Sequence, residues 1–230
     1  MNENGISEQE SNSLYSLIRS KSINIRLIIL FWLKIVTWVV SLLSMVLVYV
    51  GAWTLVNNNL DIAQLLSSLA VMMIILMCII GLVQCVVLIN LGNYHGEFKI
   101  AGILLIGITL FECAYRLSTD TKWLAIFPAI FQIAYIIFFT EAMGNALETS
   151  DIVFTKKWDN LKSLYITSYA GMAISAVFMI IPGISIIAVI FLFAFIIATF
   201  VASIWEVVLI RQSAIIIKNN SKTLIEDKEE

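Results

Sequence analysis

Residues 163–205 read SLYITSYAGMAISAVFMIIPGISIIAVIFLFAFIIATFVASIW, forty-three positions without an Asp, Glu, Lys or Arg. At about 1.5 Å of rise per helical residue, such a run is roughly twice as long as the ~30 Å hydrocarbon core of a bilayer is thick. One straight crossing therefore does not account for it, whereas two do. The break lies at Ile181-Pro182-Gly183, because proline drives the residue before it out of helical geometry and glycine accepts the turn that follows. The stretch predicts a helical hairpin, Ser163 to Ile181 and Ile184 to about Arg211, hinged at Pro182 and Gly183. A chain with such a hairpin is a multi-span membrane protein.

The rest of the chain has the same character. It is 60% hydrophobic and only 13% charged, where soluble proteins carry about 25%. The basic residues are too few for a nucleic-acid surface, and the net charge of -2 indicates no partner class. The bilayer itself is the expected partner, together with another membrane subunit or a second copy of the chain.

Working outward, four further spans are expected, at about 27–56, 64–90, 98–117 and 123–146, ahead of 163–181 and 184–211. The predicted fold is an all-α bundle of about six transmembrane helices. Residues 1–26 form a polar, amphipathic lead-in with a capping box at Ser7-x-x-Glu10 and apolar Leu14 and Leu17; the first apolar run is too long and too late for a cleaved signal. Residues 147–162 form the one sizeable polar loop, with Trp158, Leu161 and Tyr165 along the edge of a short interfacial helix, and 212–230 a charged tail. The third span is the weakest, because Glu112 and Arg116 fall inside it. Charge supports it: with six spans, eleven basic residues, from Arg19 to Lys228, share the side of the termini, and only Arg116 and Lys122 face the other. The positive-inside rule makes that shared side cytoplasmic, in a cell membrane.

Ionisable residues within spans cost about 2.5 to 3.5 kcal/mol each at the bilayer centre, so they are candidates for function. Lys34, Glu141 and Glu206 fall at similar depth on three spans and form a candidate charge cluster, able to carry a proton or cation or simply to fix helix registry. Glu112 and Arg116, four apart, read as a helix pair near the opposite face. Gln84 and Gln132 look too scattered to join them in a path, and no span shows a polar stripe. Small residues suggest helix packing: Gly171 and Ser175 on the fifth span, and Ala194, Ala198 and Ala202 on the sixth. Cys78, Cys85 and Cys113 read as buried packing residues, and Cys78 and Cys85 are too far apart on one helix to bridge.

No phosphate-cradling glycine loop, His-Glu metal signature or nucleophile elbow occurs, and the single histidine, His95, cannot supply the pattern of an intramembrane CAAX-type protease. The expectation is a protein without enzymatic activity, cofactor or metal. The run Phe98-Lys99-Ile100-Ala101-Gly102-Ile103-Leu104, with Lys157-Trp158-Asp159-Asn160-Leu161 ahead of a glycine-bearing hairpin, resembles a group of small bacterial multi-span proteins. That resemblance covers the C-terminal two-thirds and implies no activity or site residue. The first functional expectation is a scaffold or accessory subunit of a membrane complex. The alternative is a small proton- or cation-coupled transporter or channel built on Lys34, Glu141 and Glu206.

Overall fold

The computed structural model describes residues 8–57, 59–117, 126–148, 151–179, 181 and 183–226, with side chains from 18 to 220. The fold is all-α. Six helices follow one another: α1 Glu8–Val56, α2 Leu60–Leu91, α3 Gly96–Leu117, α4 Ile126–Leu147, α5 Ile152–Phe178 and α6 Ser185–Glu226. Five of them are long and apolar enough to cross a membrane, α3 among them. The exception is α5, where Tyr165, Thr167, Ser168, Tyr169, Gly171 and Ser175 dilute the apolar residues. The chain is thus a helical integral membrane protein with five such helices among the described residues, one fewer than the six spans expected. Ser7, Lys122, Trp123, Pro182 and Lys228 lie outside the described residues, as do the side chains of Glu10, Leu14 and Leu17.

The chain divides into two compact units, one comprising Met1–Phe31 with Thr140–Glu230, the other Trp32–Phe139. Both α1 and α4 run through the division, so each helix contributes one end to each unit.

The first unit packs the beginning of α1, the end of α4, α5 and α6. Its seam is written in α5: Phe154, Trp158, Leu161, Tyr165, Ser168 and Ser175 are all buried, at intervals of three, four or seven that keep one face turned inward. Asp151 starts this helix, its side chain accepting from the Phe154 amide at 3.0 Å. The expected loop and short helix at 147–162 are therefore mostly the first turns of α5 itself. The expected tail is likewise helical, since α6 continues to Glu226 with Ser213, Ala214 and Ile217 buried. The physical reason is the same in both cases: an inward apolar face at helical spacing outlasts the span and outweighs the local polarity.

Cross-helix hydrogen bonds close the unit. Asn24 donates to the Ala214 carbonyl at 2.6 Å, and Trp158 Nε1 donates to Ser213 Oγ at 3.2 Å. The α5–α6 turn contains Gly183 at φ +91, a backbone angle that favours glycine, as the sequence predicts for this hinge.

The second unit packs the later part of α1 with α2, α3 and the start of α4. Here α2 and α3 form an antiparallel hairpin so close that a Cβ at Gly81 would lie 2.8 Å from Thr109 Oγ1, and one at Gly102 would lie 3.2 Å from the Cys85 carbonyl. Aromatic contacts tie α3 to α4, Phe98 with Phe139 at 6.3 Å and Phe111 with Phe131 at 5.8 Å between centroids.

Candidate functional site

Several polar residues of the second unit meet around one cavity of about 220 Å³. Each helix supplies part of the lining: Lys34, Thr37 and Ser41 from α1, Gln84 from α2, Thr109, Glu112 and Arg116 from α3, Gln132 and Tyr135 from α4. At about 30 Å³ per water, the space holds roughly seven waters, and it is smaller than the ~300 Å³ at which sites for drug-sized ligands begin.

On α1, Lys34, Thr37, Ser41 and the buried Ser44 follow at intervals of three and four, so they form a polar stripe along one helix face. This corrects the expectation that no span carries one. The stripe is easily missed, because the bulky apolar residues between its members dominate any windowed hydropathy. Thr37 connects it to α2: Gln84 Nε2 donates to Thr37 Oγ1 at 2.8 Å, and Thr37 in turn donates to the Leu33 carbonyl at 2.8 Å. Gln84 is buried, and this bond gives its amide a partner in a place where desolvation without one is costly.

Lys34 lies over the Tyr135 ring, 5.2 Å from its centroid, and 5.9 Å from that of Phe139. These rings stack on each other at 5.5 Å, so the ammonium rests on an aromatic shelf that attracts a cation through its π face. Arg116, also in the lining, donates through Nε at 3.1 Å and Nη2 at 2.6 Å, both to Glu112 Oε1. The expected helix pair is present, and it faces the same cavity as Lys34. Gln84, Gln132 and Glu112, too scattered in sequence to define a path, are brought together here by the fold. The lining thus carries two cations, Lys34 and Arg116, and one carboxylate, Glu112.

The remaining candidate residues lie in the first unit. Glu141 pairs with Lys162 of α5 at 3.2 Å, and the Tyr165 hydroxyl donates to the buried Glu206 Oε2 at 2.8 Å. Each carboxylate thus engages a side chain of α5. Of the small-residue rows, Gly171 and Ser175 pack inside the α5–α6 hairpin, where a Cβ on Gly171 would collide with the Phe195 ring. On α6, Ala202 is buried, Ala198 is half-buried and Ala194 is exposed. Among the described residues no cluster of His, Cys, Asp and Glu is arranged to hold a metal ion.

No family model, curated protein or solved structure matches this chain. Its class rests on the fold: a polytopic helical membrane protein with a polar cavity inside one of its two units.

Proposed function

We propose that this protein passes or binds a small anionic or dipolar solute within the membrane, using the cavity of the second unit. The observation that carries the reading is the convergence of Lys34, Gln84, Glu112, Arg116 and Gln132 from four helices on one space of about 220 Å³. Polar groups in lipid are costly wherever they stand, and here four helices bring theirs to one space. Lys34 and Arg116 bring positive charge to the lining, Glu112 pairs with Arg116, and the two glutamines offer both donors and acceptors to a solute stripped of water. Glu141 and Glu206 are read as structural, since each is engaged by α5. This departs from the proton- or cation-carrying cluster expected from sequence, and keeps only Lys34 of its members.

Orientation belongs to the same proposal. The helix α5 is 27 residues long, about 40 Å, and its polar side chains Tyr165, Ser168 and Ser175 are buried. We take it as the sixth crossing, its low hydropathy reflecting residues turned away from lipid. Both termini then lie on the side with most basic residues, the cytoplasmic side.

The test is solute flux in proteoliposomes under gradients of potassium chloride, formate, acetate and phosphate. Protein-dependent flux of at least one anion, falling at least tenfold in Lys34→Gln and unchanged in Glu141→Gln, supports the reading. Flux equal to that of protein-free liposomes for every salt overturns it. The accessory-subunit reading has one observation in its favour: the Ala194 end of the α6 row is exposed and takes no part in the hairpin. Co-purification of a stoichiometric membrane partner, lost on Ala194→Phe, would favour that reading instead.

A further inference from the structure

The α2–α3 hairpin has a register that its close contacts define. Gly81 stands opposite Thr109, and Gly102 opposite Ile89 and the Cys85 carbonyl, in an antiparallel pair. Following that register one turn beyond Gly81 brings Cys78 opposite Glu112 and Cys113. The side chains agree: the Cys78 and Cys113 thiols are near enough to interact directly, and both line the cavity. Both residues are half-buried, so a small reagent entering the cavity can reach them. Cys85 differs. It is buried, and its thiol donates to the Gly81 carbonyl at 3.0 Å.

From this geometry we propose that Cys78 and Cys113 form a dithiol site in the cavity wall that a small disulfide oxidant converts to an α2–α3 disulfide. The chemistry is thiol–disulfide exchange. The thiolate of one cysteine attacks the oxidant's S–S bond, forming a mixed disulfide and releasing one small thiol. The second cysteine, as thiolate, then attacks the protein sulfur of that mixed disulfide and releases the other. One external disulfide is reduced to two thiols, two cysteines are oxidised to one cystine, and the two protons pass to the departing thiolates. The glycine contacts matter because a disulfide needs its two Cα atoms within about 7 Å, and helices at ordinary 8–10 Å axis spacing meet that only where small residues let the backbones approach. The product would clamp α2 to α3 at the level of Glu112 and remove both thiols from the cavity lining. The inference stands on the hairpin register and does not depend on the cavity's binding a solute.

The experiment uses the full chain in its own membranes, treated with hydroxyethyl disulfide. After solubilisation and acid quenching, intact mass, thiol titration and protease mapping are read together. The expected result is loss of two of the three free thiols, a chain lighter by two hydrogens with no adduct, one peptide pair joining Cys78 to Cys113, and full reversal by dithiothreitol. Cys113→Ser is expected to stop at a mixed disulfide on Cys78. In the unaltered chain, stable adducts on either cysteine, links between chains, or three unchanged thiols would each overturn the proposal, and none of these readings requires a variant to fold.

Discussion

Burial makes the hydrogen bond between Tyr165 and Glu206 matter. The tyrosine hydroxyl donates at 2.8 Å to a carboxylate that is 6% exposed. Hydrogen bonds to charged groups contribute about 1.5 to 3 kcal/mol, so Tyr165→Phe is expected to lower stability by about that amount. The unfolding midpoint of the detergent-purified variant checks this, and an unchanged midpoint would show that the bond contributes nothing to stability. The ion pairs Lys162–Glu141 and Arg116–Glu112 are different, with at least one partner of each more than a third exposed. On the proposed reading, Arg116→Gln is expected to alter which anions pass, and flux measured on the reconstituted variant checks this. At this scale the sequence showed which residues were out of place in lipid but not their partners. Depth along a span does not fix the direction in which a side chain leaves its helix, so Lys162 as a partner of Glu141 and Tyr165 as a partner of Glu206 could not be read from it.

Elements were legible where apolar composition alone defines them. The third span, doubtful because of Glu112 and Arg116, is a helix of 22 residues, and the hinge after Phe178 holds its glycine at positive φ. Ends were less legible, because α5 and α6 continue past the apolar stretch on the strength of one inward face, and composition averages over faces. Glycine contacts were hidden for a similar reason: Gly81 and Gly102 look like ordinary span residues until α2 and α3 are placed side by side. A Cβ at Gly102 would meet backbone at 3.1 Å and 3.2 Å, atoms that cannot rotate away. Overpacking of this kind typically costs about 1 to 3 kcal/mol, which is the loss expected for Gly102→Ala. At Gly96 nothing lies within 4 Å of the added methyl. Gly96→Ala should therefore be neutral or slightly stabilising, through reduced freedom of the unfolded chain. In the other hairpin the obstacle at Gly171 is the Phe195 ring, a side chain. Gly171→Ala should be destabilising alone and partly rescued by Phe195→Leu, and a double-mutant cycle with no coupling would show that the two residues do not share that space.

For the whole molecule the open quantity is the parity of its crossings. Five helices meet the length and hydropathy needed to span, and an odd number would put the two ends of the chain on opposite sides. Hydropathy, however, scores a residue without regard to where it points. In α5 the seam from Phe154 to Ser175 is buried, and its Tyr165, Ser168 and Ser175 lower the average without meeting lipid. The Ser168 hydroxyl even satisfies itself within the helix, donating to the Leu164 carbonyl at 2.7 Å. The residues that α5 leaves exposed after Lys162 are mostly apolar, Ile166, Ile174, Val177 and Phe178 among them. A helix with that distribution is lipid-compatible on its outside, and that is the ground of the sixth crossing proposed above. If α5 stayed out, the tail of α6 with Arg211, Lys218 and Lys222 would have to be carried across, against the charge bias that orients such proteins. The expected outcome is that single cysteines introduced at Asn4 and at Lys228, in a chain whose own cysteines are replaced by serine or alanine, react with an impermeant maleimide only in inverted membrane vesicles. A cysteine at Asn57, between α1 and α2, should react only from the opposite face. Reaction of the two ends from different faces would exclude the sixth crossing and leave α5 lying along the membrane surface or within the packed interior, while the five remaining helices and the cavity of the second unit would stand as described.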